Sequence, residues 1–79
     1  MGDLSEVELW ILRYMNQAGS DRPQTAVEIA PNVGLSVEVT TERLNELEWV
    51  GYVEEHDGAD GSSSTFTLTA DGVEAAVAD

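Results

Sequence analysis

His56 is the only histidine in the chain, and Asp57 and Asp60 follow it closely. These three come nearest to a metal-binding set, but one imidazole and two carboxylates are too few ligands for a site. The stretch Asp57-Gly58-Ala59-Asp60-Gly61 lacks the acidic spacing and the terminal glutamate of a calcium loop, and it reads as a solvated turn with His56 at the end of a strand. Glu54 and Glu55 are adjacent, and neighbours on a strand point to opposite sides, so they form no acid–base dyad. Glu46 and Glu48 read as solvated faces. There is no cysteine and no lysine, and there is no glycine-rich phosphate loop. A nucleophile, a base and an oxyanion site cannot be assembled from what remains, and so short a chain does not enclose a typical pocket. The expectation is a non-enzyme with no metal and no cofactor.

Charge is the most unusual property. Sixteen Asp and Glu oppose Arg13, Arg22 and Arg43, for a net charge of −13. Low hydrophobicity with such a charge would mean disorder, but 42% of the residues are hydrophobic and they fall in ordered patterns. A folded domain this acidic repels itself in dilute salt. At about 1 M salt the screening length shrinks to about 3 Å and most of the repulsion disappears. The lack of lysine with abundant Asp, Glu, Ala and Val resembles the proteins of salt-loving archaea. The alternative is an acidic protein of ordinary salt, made to meet a basic surface. The 79 residues suit a single domain, residues 1–79, burying about 60–65% of its unfolded surface. No apolar run approaches the roughly 20 residues of a membrane span, and the start Met1-Gly2-Asp3 is acidic where a secretory signal is basic. The absence of cysteine and of both signals gives the expectation of a cytoplasmic protein away from membranes.

The elements that position these residues follow from local signals. Ser5 and Glu8 make a capping box, with Leu4 and Leu9 at staple positions, and open a helix over Glu6–Gln17 that Gly19 ends. Val7, Ile11, Leu12 and Met15 form its core face. A short helix over about Thr25–Ala30 turns Ala26, Ile29 and Ala30 inward and ends at Pro31, which disfavours helix in the preceding residue. After the turn Asn32–Leu35, Ser36 caps a third helix reaching about Trp49, with the inward row Val37, Thr40, Leu44 and Leu47. Gly51 breaks it. Tyr52–His56 and Thr65–Thr69 then read as strands around the loop Asp57–Ser63. Thr69 caps a last helix, Ala70–Ala78, with Val73, Ala76 and Val77 on one face.

The order α-α-α-β-β-α, with Leu35-Ser36, Thr40-Thr41, Arg43-Leu44, Leu47-Glu48 and Gly51-Tyr52-Val53 in sequence, resembles the winged helix-turn-helix transcriptional regulators. Thr67-Leu68-Thr69-Ala70-Asp71-Gly72 is similar to that family's exit from the wing into the closing helix. The general look is that of small haloarchaeal repressor-like members. The resemblance implies a mainly helical α+β fold with a two-stranded wing. It also implies a regulator that binds duplex DNA, with the third helix in the major groove and the wing on the backbone or minor groove. Carried onto this chain, the groove-facing positions are Ser36, Glu38, Val39, Thr41, Glu42 and Arg43. Of these Ser36 and Thr41 would bond phosphate, Val39 would touch a thymine methyl, and Arg43 would fork onto guanine or hold a phosphate. His56 and Ser62–Ser64 are the wing candidates. The chain departs from the family in basic residues, with one Arg and two Glu on that helix face and Asp57 and Asp60 at the wing. Phosphate neutralisation dominates binding only in dilute salt, so a binder in molar salt relies on base contacts and shape.

Three aromatic residues stand outside this scheme. Trp10 and Tyr14 lie one turn apart on a flank of the first helix, where either the closing helix covers them or they form a homodimer interface. Trp49 either packs on the base of the wing or meets a partner protein. A winged-helix protein–protein module that uses Trp10, Tyr14 and Trp49 without reading bases is the alternative function.

Overall fold

A computed structural model describes residues 5–56 and 64–78 of the chain. Its elements run α1 (Glu6–Ala18), α2 (Ala26–Val33), α3 (Val37–Val50), β1 (Val53–His56), β2 (Thr65–Leu68) and α4 (Ala70–Val77). The strands pair antiparallel, with Val53 opposite Leu68 and His56 opposite Thr65. The expected element order is therefore observed. Leu4 and the segment Asp57–Ser63, with the staple, the turn and Ser62 and Ser63 at the wing, lie outside the described residues.

Local chemistry sets the helix starts. In α1 the Glu8 N–H donates to Ser5 Oγ and the Ser5 N–H to Glu8 Oε1, both at 3.2 Å. Thr25 and Glu28 repeat this reciprocal pair at α2. Ser36 Oγ accepts from Val39 N at α3, and Thr69 Oγ1 from Gly72 N at α4. Each such cap is worth about 1 kcal/mol.

Helix α2 does not stop before Pro31 but continues through it to Val33. The missing N–H leaves only the Val27 carbonyl without its helical donor, and Val27 and Pro31 lie on the exposed side of the helix, open to water. The far end is held independently. Gly34 takes a left-handed conformation, φ 73°, and the Leu35 N–H returns to the Ala30 carbonyl at 3.0 Å, the wrap that closes many helices.

Ile11, Leu12 and Met15 of α1, Ile29 of α2, Leu44 and Leu47 of α3, Val53, Phe66 and Leu68 of the hairpin and Ala76 of α4 form one core. Full burial of such aliphatic side chains stabilises by about 1.5–3 kcal/mol each. Two residues expected to face inward are exposed instead. Val37 is 43% exposed, because the first turn of α3 faces a cleft toward the hairpin. Val77 is exposed at the end of α4, while Ala76 is buried and Val73 half-buried. The α1–α2 loop contributes a sheet position: Gln24 exchanges backbone hydrogen bonds with Phe66 at 3.1 and 2.8 Å, and Leu68 N donates to Ser20 O. That pairing fixes the hairpin against the start of α2.

Candidate nucleic-acid interface

Helix α3 buries Thr40, Leu44 and Leu47. Its opposite side carries Glu38, Glu42, Asn45 and Trp49, all exposed, at helical spacings of four, three and four. Eleven residues of rise make this stripe about 16 Å long. The four residues expected to meet DNA are not on one face. Val39 and Arg43 each stand two positions from Thr41, about 200° around the helix, so these two share one flank of the stripe and Thr41 lies on the other. Ser36 sits at the N-cap.

The Thr41 flank borders a cleft between α3 and the hairpin. Val37, Thr41 and Asn45 line one wall, Glu55, Ser64 and Phe66 the other, and Thr25, Ala26 and Val27 close its end. The polar lining is hydroxyl and amide apart from Glu55. Thr41 Oγ1 donates to the Val37 carbonyl at 2.8 Å. On the other flank the Arg43 guanidinium lies 3.5 Å from Glu46 Oε1 and its side chain is only 31% exposed. Glu46 in turn meets Glu8 of α1. The hydrogen bond between the two carboxyl groups raises the Glu46 pKa above its ordinary 4.5, and the Arg43 charge opposes that rise. Glu8 is buried, which its place in a capping box did not reveal.

Along the hairpin, Glu54 and Glu55 point to opposite sides. Glu55 joins the cleft, while His56 Nε2 shares a 3.0 Å hydrogen bond with Thr67 Oγ1 and lies 3.9 Å from Glu54. Among the described residues no three His, Asp or Glu side chains converge on a metal-sized site. No described helix is long and apolar enough to cross a membrane.

No protein-family model and no curated protein matches this sequence. Solved structures do match. A mutant of MepR from Staphylococcus aureus, solved bound to an oligodeoxyribonucleotide, aligns with a TM-score of 0.83 and 19% identity over 94% of this chain and 54% of its own. The adhesin competence repressor AdcR from Streptococcus pyogenes gives 0.80 and 19% over 94% and 53%. A mutant of ZitR from Lactococcus lactis gives 0.79 and 18% over 96% and 50%. The fold is a winged helix. MepR is described as a transcription regulator of a multidrug efflux pump and AdcR as a repressor, neither as an enzyme. This chain spans about half the length of each.

In winged-helix terms α2, the turn and α3 are the helix-turn-helix, and β1–β2 is the wing. Trp49 does not pack on the base of the wing, since it is 87% exposed at the end of the outward stripe. Trp10 and Tyr14 are not roofed by the closing helix. With Arg13 and Gln17 they border an open groove completed by Asn32 and Val33 of α2. Tyr14 is half-buried against the core and Trp10 is 46% exposed. Sequence reasoning missed Asn45, the Glu8–Glu46 contact and the cleft. Asn45 was accessible to it, because alternating helical steps of four and three carry the stripe from Glu38 through Glu42 to Asn45.

Proposed function

We propose that this winged helix binds duplex DNA as a transcriptional regulator and works at high salt. The observation that carries the reading is the exposed polar stripe of α3, set beside a cleft and wing in a fold shared with a regulator solved on DNA. A helix seated in the major groove turns its centre to the base edges and its flanks to the two phosphate backbones. The opposite placement of Thr41 and Arg43 suits that division. Arg43 holds a phosphate on one rim, with Val39 against a thymine methyl at the groove edge; Ser36 bonds phosphate through its hydroxyl, and Thr41 does so by turning its hydroxyl away from the Val37 carbonyl. Glu38 and Glu55 approach the phosphates of the same DNA and require cations between. Binding therefore takes up cations, and affinity stays flat or rises as salt increases. Fluorescence anisotropy on a selected duplex from about 0.2 to about 3 M KCl tests this, because a conventional binder loses affinity with a slope near −0.9 per neutralised phosphate. A steep fall would refute the mechanism.

Association as a homodimer through α1 is part of the proposal, supported by the half-exposed Trp10. Trp10→Glu is expected to leave a folded monomer, and light scattering that finds the parent chain already monomeric at high concentration would reject the dimer. Trp49 supports a second reading, a protein-docking module. In that case DNA would leave the amide shifts of the Ser36–Arg43 surface unmoved at every salt.

A further inference from the structure

The centre of the α3 stripe has a chemistry that its flanks lack. Glu42 and Asn45 are both exposed midway along the helix, on the side opposite Leu44 and Leu47. A carboxylate only accepts hydrogen bonds. In the major groove the base edges offer two donors, the N4 amino group of cytosine and the N6 amino group of adenine; N7, O6 and O4 are acceptors that would repel it. An asparagine amide both donates and accepts, matching the N6 donor and N7 acceptor of adenine. The Asn45 amide is bonded to no described residue, whereas that of Asn32 is held by the Glu28 carbonyl at 2.8 Å. Three residues of helix rise about 4.5 Å, close to the roughly 3.4 Å between base pairs. Arg43, the one cation on α3, is turned to a flank and engaged by Glu46.

We propose that Glu42 and Asn45 are the base-reading pair of this protein, recognising the amino groups of a cytosine and of an adenine in the neighbouring base pair. The assignment rests on the DNA-binding reading above. It makes the acidic helix, a poor ligand for phosphate, complementary to amino-bearing base edges, so specificity and backbone affinity reside in different residues.

The test uses the full chain and a duplex enriched from a random pool at about 2 M KCl, where repulsion is screened. The adenine is replaced by purine, which lacks the N6 amino group, and the cytosine by pyrimidin-2-one, which lacks N4. Each replacement is expected to weaken binding roughly 5- to 150-fold, the range for one base contact. Asn45→Ala should show the same loss on the parent duplex and no further loss on the purine duplex. Glu42→Gln should switch the preferred base from cytosine to adenine, because glutamine pairs with adenine; this change of preference is readable even if losing the charge raises affinity everywhere. Arg43→Ala should weaken all duplexes alike. Analogue duplexes that bind as the parent does, or a Glu42→Gln variant that keeps cytosine, would overturn the assignment while leaving DNA binding intact. Failure of the parent chain to bind any duplex would overturn both.

Discussion

Gly72 stands in the first turn of α4 at a point where the backbone leaves no room for a side chain. A Cβ placed there would lie 2.0 Å from the Tyr52 carbonyl oxygen and 3.0 Å from its carbonyl carbon. Tyr52 cannot easily withdraw. Its carbonyl accepts from Thr69 N at 3.1 Å and its N–H donates to the Leu47 carbonyl at 2.9 Å, so it ties α3, the wing and α4 together. Gly72→Ala gains about 1 kcal/mol of helix propensity. Against this stand overpacking, at about 1–3 kcal/mol, taken at its upper end because the obstacle is backbone, and about 1 kcal/mol for a weakened Thr69–Tyr52 hydrogen bond. The expected net loss is about 2–3 kcal/mol, a large part of the roughly 4–12 kcal/mol typical of a domain this size. At about 4–8 °C per kcal/mol the melting temperature should fall by roughly 10–20 °C. Circular dichroism melts in molar KCl measure it. Gly34→Ala is the comparison, since Gly34 has φ 73° and open space around it, and it should lose only about 1–2 kcal/mol. A Gly72→Ala protein that melts at or above the parent temperature would refute the close-approach argument.

The charge of −13 should make the melting temperature far lower below about 0.1 M monovalent salt than at about 2 M, and equal melts at the two salts would reject the salt-adapted reading. The Glu46 pKa is raised in the folded state, so its contribution to stability is fully present below the unfolded value near 4.5 and is lost as pH rises through the folded value. Glu46→Gln should therefore melt at or above the parent at pH 7 and lose that advantage in acid; a uniform offset across the pH range would count against the Glu8–Glu46 contact. Thr40 is fully buried and its hydroxyl has no partner among the described residues. Thr40→Val should consequently stabilise by roughly 1 kcal/mol or more in urea unfolding, and a loss would point to a hydrogen bond through buried water.

Signals carried within a few residues were legible in the sequence. Ser5 with Glu8, Ser36 and Thr69 mark their helix starts because a cap is satisfied by the next three residues. Ile11, Leu12 and Met15, or Thr40, Leu44 and Leu47, mark buried faces because helix periodicity is local. The winged-helix order follows from those pieces. The candidate site was only half legible. Its helix and the residues Ser36, Val39, Thr41 and Arg43 were named, but the division of that helix into two flanks and a centre depends on where α1 and the wing pack against it. Glu8 looked like a cap residue until α3 brought Glu46 to it. Pro31 looked like a stop because its effect on Ala30 is local, whereas the Gly34 wrap and an exposed Val27 carbonyl let the helix continue. Gly72 belonged to a recognisable motif, yet the need for glycine comes from the Tyr52 carbonyl, 20 residues away in sequence. Sequence by itself determined which segments form and which side of each is apolar. Tertiary structure decided which polar groups meet, because their partners are supplied by segments that no local pattern connects.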